Sequence, residues 1–447
     1  MIEEKEARNL CEAILHRCTG AQAEVLLQVN DSDLTRFANN TIHQNVAERD
    51  IEVTLRLMIG KQIGTAITNR SDEAALDELV GIARSYAQAS PEDPGYPGLA
   101  EPSAYTPVKA FDQATQDCSP ETRAKAVGVV CRLAAEKGLN ASGAFSTSAS
   151  ALAVANSQGV FAYHPGTSAD FQTVVMSSDS SGRAQGSAWK VSDIPVEKLG
   201  KDAILTAERG KAPRKIEPGE YTVVFEHYVT EDLLSMLNFY GMGAQSLLEG
   251  RSWMNERIGQ QVMSEKVSIW DDGLDLSGAP LPFDFEGVPK QRVEVVTKGV
   301  VMGPVYDRYS GAKAGKPSTG HALPPAMRGF GPVATNLFMA AGESSVDEMI
   351  RSTERGLYIN RFWYTRLVHP RDCVITGMTR DGVFMIENGE LAYPVKNLRY
   401  TMPYVQVLAN VEAIGKESHL LISEYGNMGQ HVPALKVHGF NFSGSTV

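Results

Sequence analysis

The sequence predicts an α+β protein, with an N-terminal α/β domain of antiparallel strands and flanking helices and a C-terminal β-rich domain. Three observations carry this. The runs AEVLLQVND, TIHQNVAERDIEVTLRLMI and KQIGTAITN alternate or are β-branched, and they follow one another closely, as an antiparallel set does. Stretches with helical spacing flank them. Beyond residue 330 the chain reads as mostly β to its end.

Taken in order, residues 3 to 18 form an amphipathic helix with Leu10, Ile14 and Leu15 on one face. The three strands follow, with Gly60 and Gly64 in or beside the last turn. SDEAALDELVGIARSYAQA opens a helix with Ser71 as N-cap and two early acids. PEDPGYPGLAEPSAYTP, with five prolines and two glycines, is a loop. A helix of about 120 to 137 has Pro120 at its first position. Strands around the turn NSQG and on to Trp189 come next, then a helix of about 196 to 210. KAPRKIEPGE marks the boundary between domains 1–212 and 213–447. The second half starts with a strand, a turn and a long apolar helix in YTVVFEHYVTEDLLSMLNFYG; residues 266 to 310 are rich in Gly, Pro and Asp between short β runs.

A chain of 447 residues buries a large core without a metal or disulfide staple. Its net charge of −11 argues against a nucleic-acid partner, which needs a basic stripe; KAPRK is too short and Pro-broken to be one. The start lacks a signal-peptide pattern, and no run approaches the ~18 apolar residues of a membrane span, so a cytoplasmic location with no membrane contact is expected. Cys11, Cys18, Cys118, Cys131 and Cys373 are odd in number and lack a CxxC, which reads as reduced thiols. Cys11 and Cys18, seven apart, share a helix face and suit core packing.

His227 and Glu231 are spaced i, i+4, as zinc ligands on a helix can be. A zinc site needs three protein ligands, and the other histidines, His164 and His321 among them, are distant in sequence. The plainer reading is a helix start, with Thr230 as N-cap and Glu231 and Asp232 facing the positive end of the dipole. No HExxH occurs, and His431 and His438 flank a proline. Cys373 in HPRDCVITG has Arg371 and His369 nearby, a setting that can favour thiolate. GAKAGKPSTG fails the phosphate-loop spacing, GMGAQS lacks a third glycine, and DDGLDLSG reads as a pair of turns. In NRFWYTRLVH, strand alternation puts Arg361, Trp363 and Thr365 on one face and Phe362, Tyr364 and Arg366 on the other. Aromatics beside arginines suit peptide contact, so Arg361, Trp363, Tyr364 and Arg366 are the candidate peptide-binding residues.

Five stretches together resemble one family. RFANNTIHQN is similar to its N-terminal signature. LLEGRSWMNERIGQQV, PFDFEGVPKQRVEVVTKGVV, YDRYSGAKAGKPSTGHA and DGVFMIENGELAYPVKNLRY are similar to its C-terminal ones, in the expected order. This is the TldD/PmbA family of zinc metallopeptidases, once described as modulators of DNA gyrase. The resemblance implies a dimer enclosing a cavity and a division of labour. TldD-type chains carry HExxxH on the helix after the first C-terminal strand; PmbA-type chains, also called TldE, lack it and pair with a TldD-type chain that trims unfolded peptides or peptide precursors.

Laying Leu233-Leu234 on the family's Leu-Leu pair puts Ser235, Met236 and Tyr240 at the positions of His, Glu and His. Residues five apart lie about 140° off one face of an α-helix, so HExxxH needs a widened, π-type turn. The family has a Gly before its second His; Phe239 fills that place here, which predicts that ligands and helix defect are both gone. Cys373 lies in the region that supplies a further zinc ligand in TldD-like chains. The expectation is a non-catalytic, PmbA-like subunit with no metal of its own, in a hetero-oligomer with a zinc-bearing TldD-like chain or in a homodimer, holding a peptide substrate. The alternatives are a stand-alone hydrolase built on Cys373 and a scaffold or binding protein.

Overall fold

A computed structural model describes residues 1–422 and 428–445. The helix α1 (Glu4–Arg17) leads into the long hairpin β1 (Gln22–Ala38) and β2 (Thr41–Ile59), then β3 (Gln62–Thr68) and α2 (Glu73–Ala89). After the Pro-rich loop come α3 (Gln113–Gln116), α4 (Pro120–Glu136), β4 (Asn140–Asn156), β5 (Phe161–Met176), β6 (Ser181–Ala188) and α5 (Val196–Arg209). The strands form one antiparallel six-stranded sheet in the order β3-β2-β1-β4-β5-β6. Strand β1 runs further than its apolar pattern suggests, because SDLTRFA continues the pairing to a tight turn at Asn39 and Asn40, both at positive φ. Asparagine tolerates that conformation best after glycine.

One core lies between this sheet, α1 and α2, and holds Cys11 and Cys18. A second lies under α4 and α5, around Phe37 and Phe171. Gly64 lets β3 and α2 touch: a Cβ there would sit 2.0 Å from the Ala83 carbonyl oxygen. The N-cap of α2 is Asp72 rather than Ser71, its carboxylate accepting from the Ala75 amide at 3.1 Å.

The second sheet has eleven strands. It is built from β7 (Gly219–Phe225), then α6 (His227–Leu237), a π turn (Asn238–Met242) and α7 (Ala244–Leu248). Next come β8 (Ile269–Asp271), β9 (Val293–Thr297), β10 (Val300–Val301), α8 (Arg308–Ala314), β11 (Asn336–Met339) and α9 (Val346–Arg351). It ends with β12 (Arg355–His369), β13 (Val374–Glu387), β14 (Glu390–Pro394), β15 (Leu398–Pro403), α10 (Tyr404–Ala409), β16 (Val411–Ile422) and β17 (Gly429–Ser445). The order is β10-β9-β8-β11-β17-β15-β13-β12-β7, with β17 also paired to β7. That last pairing closes β7, β12, β13, β15 and β17 into a ring. Phe225, Phe362, Tyr400 and Phe440 fill it, with ring centroids 4.3–5.7 Å apart. Helix α6 packs along β17 and β12.

A buried ionic chain joins the two halves. Glu24 on β1 accepts from Arg56 at 2.8 Å and from Arg328 at 2.7 Å, and Arg328 also reaches Glu286 at 3.1 Å. All five cysteines are free and buried. Among the described residues no helix is long and apolar enough to cross a membrane.

Candidate functional site

Helix α6 starts directly after β7, with no turn between. Glu226 is its N-cap residue and Thr230 lies inside it, fully buried, so the N-cap expected at Thr230 is wrong. The β7 strand delivers Glu226 against β12, where Tyr358 donates to its carboxylate at 2.9 Å; this fixes the helix start four residues earlier than Thr230. The helix is buried over most of its surface, so most of its polar residues find partners inside the fold. Asp232 accepts from Thr365 at 2.8 Å and from Tyr404 at 2.7 Å, and Tyr404 shares a further hydrogen bond with Tyr400 at 2.8 Å. Ser235 donates to Glu231 at 2.7 Å and accepts from the Gln430 amide. Burial and the Asp232 charge push the Tyr404 hydroxyl well above its ordinary range.

The helix then widens into the π turn of residues 238 to 242. The expected loss of this helix defect is therefore corrected: the defect is present. Its supports lie downstream. The Trp253 indole donates to the Leu237 carbonyl at 2.9 Å, and the Ser252 hydroxyl donates to the Gly241 carbonyl. Asn238 bonds the Ala334 backbone both ways, at 2.8 and 3.1 Å. Gly241 is required because a Cβ there would lie 2.1 Å from the Trp253 ring. A widened turn frees backbone carbonyls, and what fixes it is who receives them, not which residue stands at 239.

At the three positions expected to replace the zinc motif stand a hydroxyl already engaged with Glu231 and Gln430 (Ser235), a thioether in the core (Met236), and the partly buried phenol of Tyr240, packed edge-on against Phe239. Zinc in proteins is held by imidazole, thiolate and carboxylate. These three side chains do not fit it. Cys373 is fully buried, and burial with the nearby Asp232 charge pushes its thiol far up. Arg371 is turned to Glu256 at 2.8 Å and His369 toward Asp372 at 3.5 Å, so neither serves the thiol. The thiolate setting expected from sequence adjacency is absent. Among the described residues no group of three or more His, Cys, Asp or Glu side chains is arranged to hold a metal ion.

The other end of α6 opens on a cleft of about 770 Å³ between β6 and α5 on one side and β16 and β17 on the other. His227 lies 3.1 Å from the Glu226 carboxylate, and its ring stacks near His419 at 4.3 Å. Hydrogen bonds from His227 and Tyr358 keep Glu226 ionised, with its pKa lowered despite burial. Burial, with His227 beside it, lowers His419 to about 4, so its imidazole is neutral near pH 7. His227 and Glu231, the pair noted for their spacing, are not brought together: Glu231 bonds Ser235. His321 is buried elsewhere against Asp271 at 3.2 Å, and His164 is buried in the first half. Sequence reading missed Glu226, Tyr358 and His419 as neighbours. Nothing in the sequence signals it, since they come from three segments far apart in the chain.

The segment 360–369 departs from simple alternation. A bulge between Trp363 and Arg366, with Tyr364 at φ +57°, turns Thr365 into the core toward Asp232 while Phe362 is also buried. Arg361 is buried and donates to Asp381 at 2.6 Å, whereas Trp363 and Tyr364 are 37% and 63% exposed.

Residues 218–444 match the family model described as the PmbA/TldA metallopeptidase C-terminal domain, and residues 23–87 match PmbA/TldA metallopeptidase domain 1. A metalloprotease of Methanothermobacter thermautotrophicus is 26% identical over 243 residues, 53% of this chain and 52% of that one. The metalloprotease PmbA of Escherichia coli O157:H7 is 25% identical over 225 residues, 49% and 46% of the two chains. The alignments thus span about half the length of these curated relatives. Among solved structures, TldE from Thermococcus kodakarensis has the same fold, with a TM-score of 0.88 at 19% identity over 98% of this chain and 100% of that one. A Thermotoga maritima chain named as a candidate modulator of a DNA gyrase has a TM-score of 0.85 at 18% identity, over 98% and 100%.

Proposed function

The chain belongs to the PmbA/TldD metallopeptidase family, and from that premise we propose that it is a PmbA/TldE-like, non-catalytic subunit of a peptidase complex acting on unfolded peptides or peptide precursors. The observation that carries this reading is the end of α6 with its π turn, where Ser235 and Met236 on the helix and Tyr240 in the turn stand at the positions that the resemblance assigns to the zinc motif. The fold shared with TldE of Thermococcus kodakarensis supports it. Zinc and bond cleavage then belong to a TldD-like partner chain in the cytoplasm, and this chain completes the chamber and holds the peptide. The segment from Arg361 to Arg366 is the proposed peptide contact. A stand-alone hydrolase using Cys373 has no support from a buried thiol held in its protonated form.

The test is metal content and peptidase activity on an unstructured peptide, for the chain alone and co-expressed with a TldD-like chain. The expected result is a metal-free, inert single chain and an active, zinc-containing pair. Stoichiometric zinc with cleavage by the single chain would overturn the reading. An inert pair would leave a scaffold role in its place.

A further inference from the structure

Among the described residues strand β12 pairs with β7 only over Gly356–Ile359. Just past that point, Arg361 and Arg380 are direct cross-strand partners on β12 and β13. Like charges directly opposite each other in a sheet are unfavourable. Asp381 lies beside them, taking a hydrogen bond from Arg361 at 2.6 Å and standing 3.9 Å from Arg380, while also accepting from Ser181. The Trp363 indole sits 4.8 Å from the Arg361 guanidinium carbon and 4.9 Å from that of Arg380. Next to it the Arg366 guanidinium lies 4.5 Å from the Tyr364 ring centroid. Arg361 and Arg380 thus share the Asp381 carboxylate, and Arg366 adds a third guanidinium further along the same strand, a local positive surplus on a chain of net charge −11.

Guanidinium groups resting on aromatic faces are held in orientation, yet keep N–H edges for bidentate contact with carboxylates. Arg366 and Arg380 are exposed, and so are the rings of Trp363 and Tyr364 and, further along the strand, Val368. The bulge at Tyr364 spoils this stretch as a template for an added strand. Recognition here falls to side chains. We propose that this patch docks an acidic peptide segment, with carboxylates on Arg366 and Arg380 and an apolar or aromatic neighbour against Trp363 and Tyr364. The proposal rests on the peptide-handling reading above for the class of ligand, and it adds charge selectivity to it.

The test is fluorescence anisotropy of a labelled, unstructured peptide rich in Glu and Phe, against the same peptide with Gln for Glu, using the full chain. The acidic peptide should bind about tenfold more tightly at low salt, with the gap closing as salt rises. The double variant R366Q/R380Q should remove the gap, and R366K/R380K should keep part of it, since charge remains and the planar fork is lost. Equal binding of the two peptides by the unmodified chain, or an undiminished preference in R366Q/R380Q, would overturn the proposal. Co-expression with a TldD-like chain separates the two readings. An active pair without acid preference removes the docking site alone; an inert pair whose silent subunit still selects the acidic peptide removes the subunit role alone.

Discussion

The two ends of helix α6 make an instructive pair. Its first turn carries an imidazole beside an ionised carboxylate, with a second imidazole 4.3 Å away, all facing a wide cleft. Its last turn carries the widened backbone but offers a hydroxyl, a thioether and a phenol. His227 and the start of the widened turn at Asn238 are separated by roughly 16 Å along the axis, at 1.5 Å per residue. One end has donor atoms without the backbone geometry; the other has the geometry without the donors. A metal centre needs both in one place, so resemblance of backbone alone does not transfer chemistry.

The comparison can be broken most severely at Gly241. Substitution to Ala puts a Cβ into the Trp253 ring and should destabilise the C-terminal half by about 3 kcal/mol, seen as a lower denaturation midpoint. An unchanged midpoint would mean that Trp253 is not what holds the turn. Tyr404→Phe removes a buried hydroxyl bonded to both Asp232 and Tyr400, and should cost about 1–3 kcal/mol in the same measurement. Ser235→Ala, at the first position that the resemblance aligns with the zinc motif, should cost less, about 1 kcal/mol, and leave metal content unaltered.

The first turn is probed by pH. His419 is shifted from 6.5 to about 4, so the unfolded chain binds more protons than the folded one between those values. Its contribution to stability is present in full above about pH 6.5 and is lost as pH falls toward 4. An NMR titration should find its imidazole midpoint near 4; a midpoint near 6.5 would show that the cleft is wetter than the packing indicates. The smallest expected effect is at Cys373, where iodoacetamide at neutral pH should leave the native protein unlabelled. Rapid native labelling would reopen the nucleophile reading.

Local order was legible where local rules suffice. The N-terminal sheet is made of two three-stranded meanders, β1-β2-β3 and β4-β5-β6, whose strands are joined by short turns, so the β-branched runs and turn residues specify neighbours within each; the β1–β4 pairing that joins them links distant segments. Helix α4, with Pro120 at its first position and Ser119 accepting from the Thr122 amide, starts where its capping residues say. The C-terminal sheet was harder. Strand β17 pairs with β7, β11, β15 and β16, and no pattern within its own residues names those partners. The same limit explains the misjudged helix. Phe239 told of one missing glycine, but the π turn answers to Trp253, Ser252 and Ala334, whose approach no helix-local rule foresees. Likewise Arg371 and His369 sit next to Cys373 in sequence and turn away from it in space.

By itself the sequence determined the α+β class, the run of antiparallel strands, the helix starts with strong capping residues, the family resemblance, and the chemical identity of Ser235, Met236 and Tyr240. Those depend on residue type and short-range spacing, which the chain states directly. Tertiary structure alone decided that the strands of the second half close into a ring, that the π turn persists, that Asp232 is shared by Thr365 and Tyr404, and that two arginines meet across one indole. Each of these is a contact between segments far apart in the chain, set by how the whole core packs rather than by any residue's own preference.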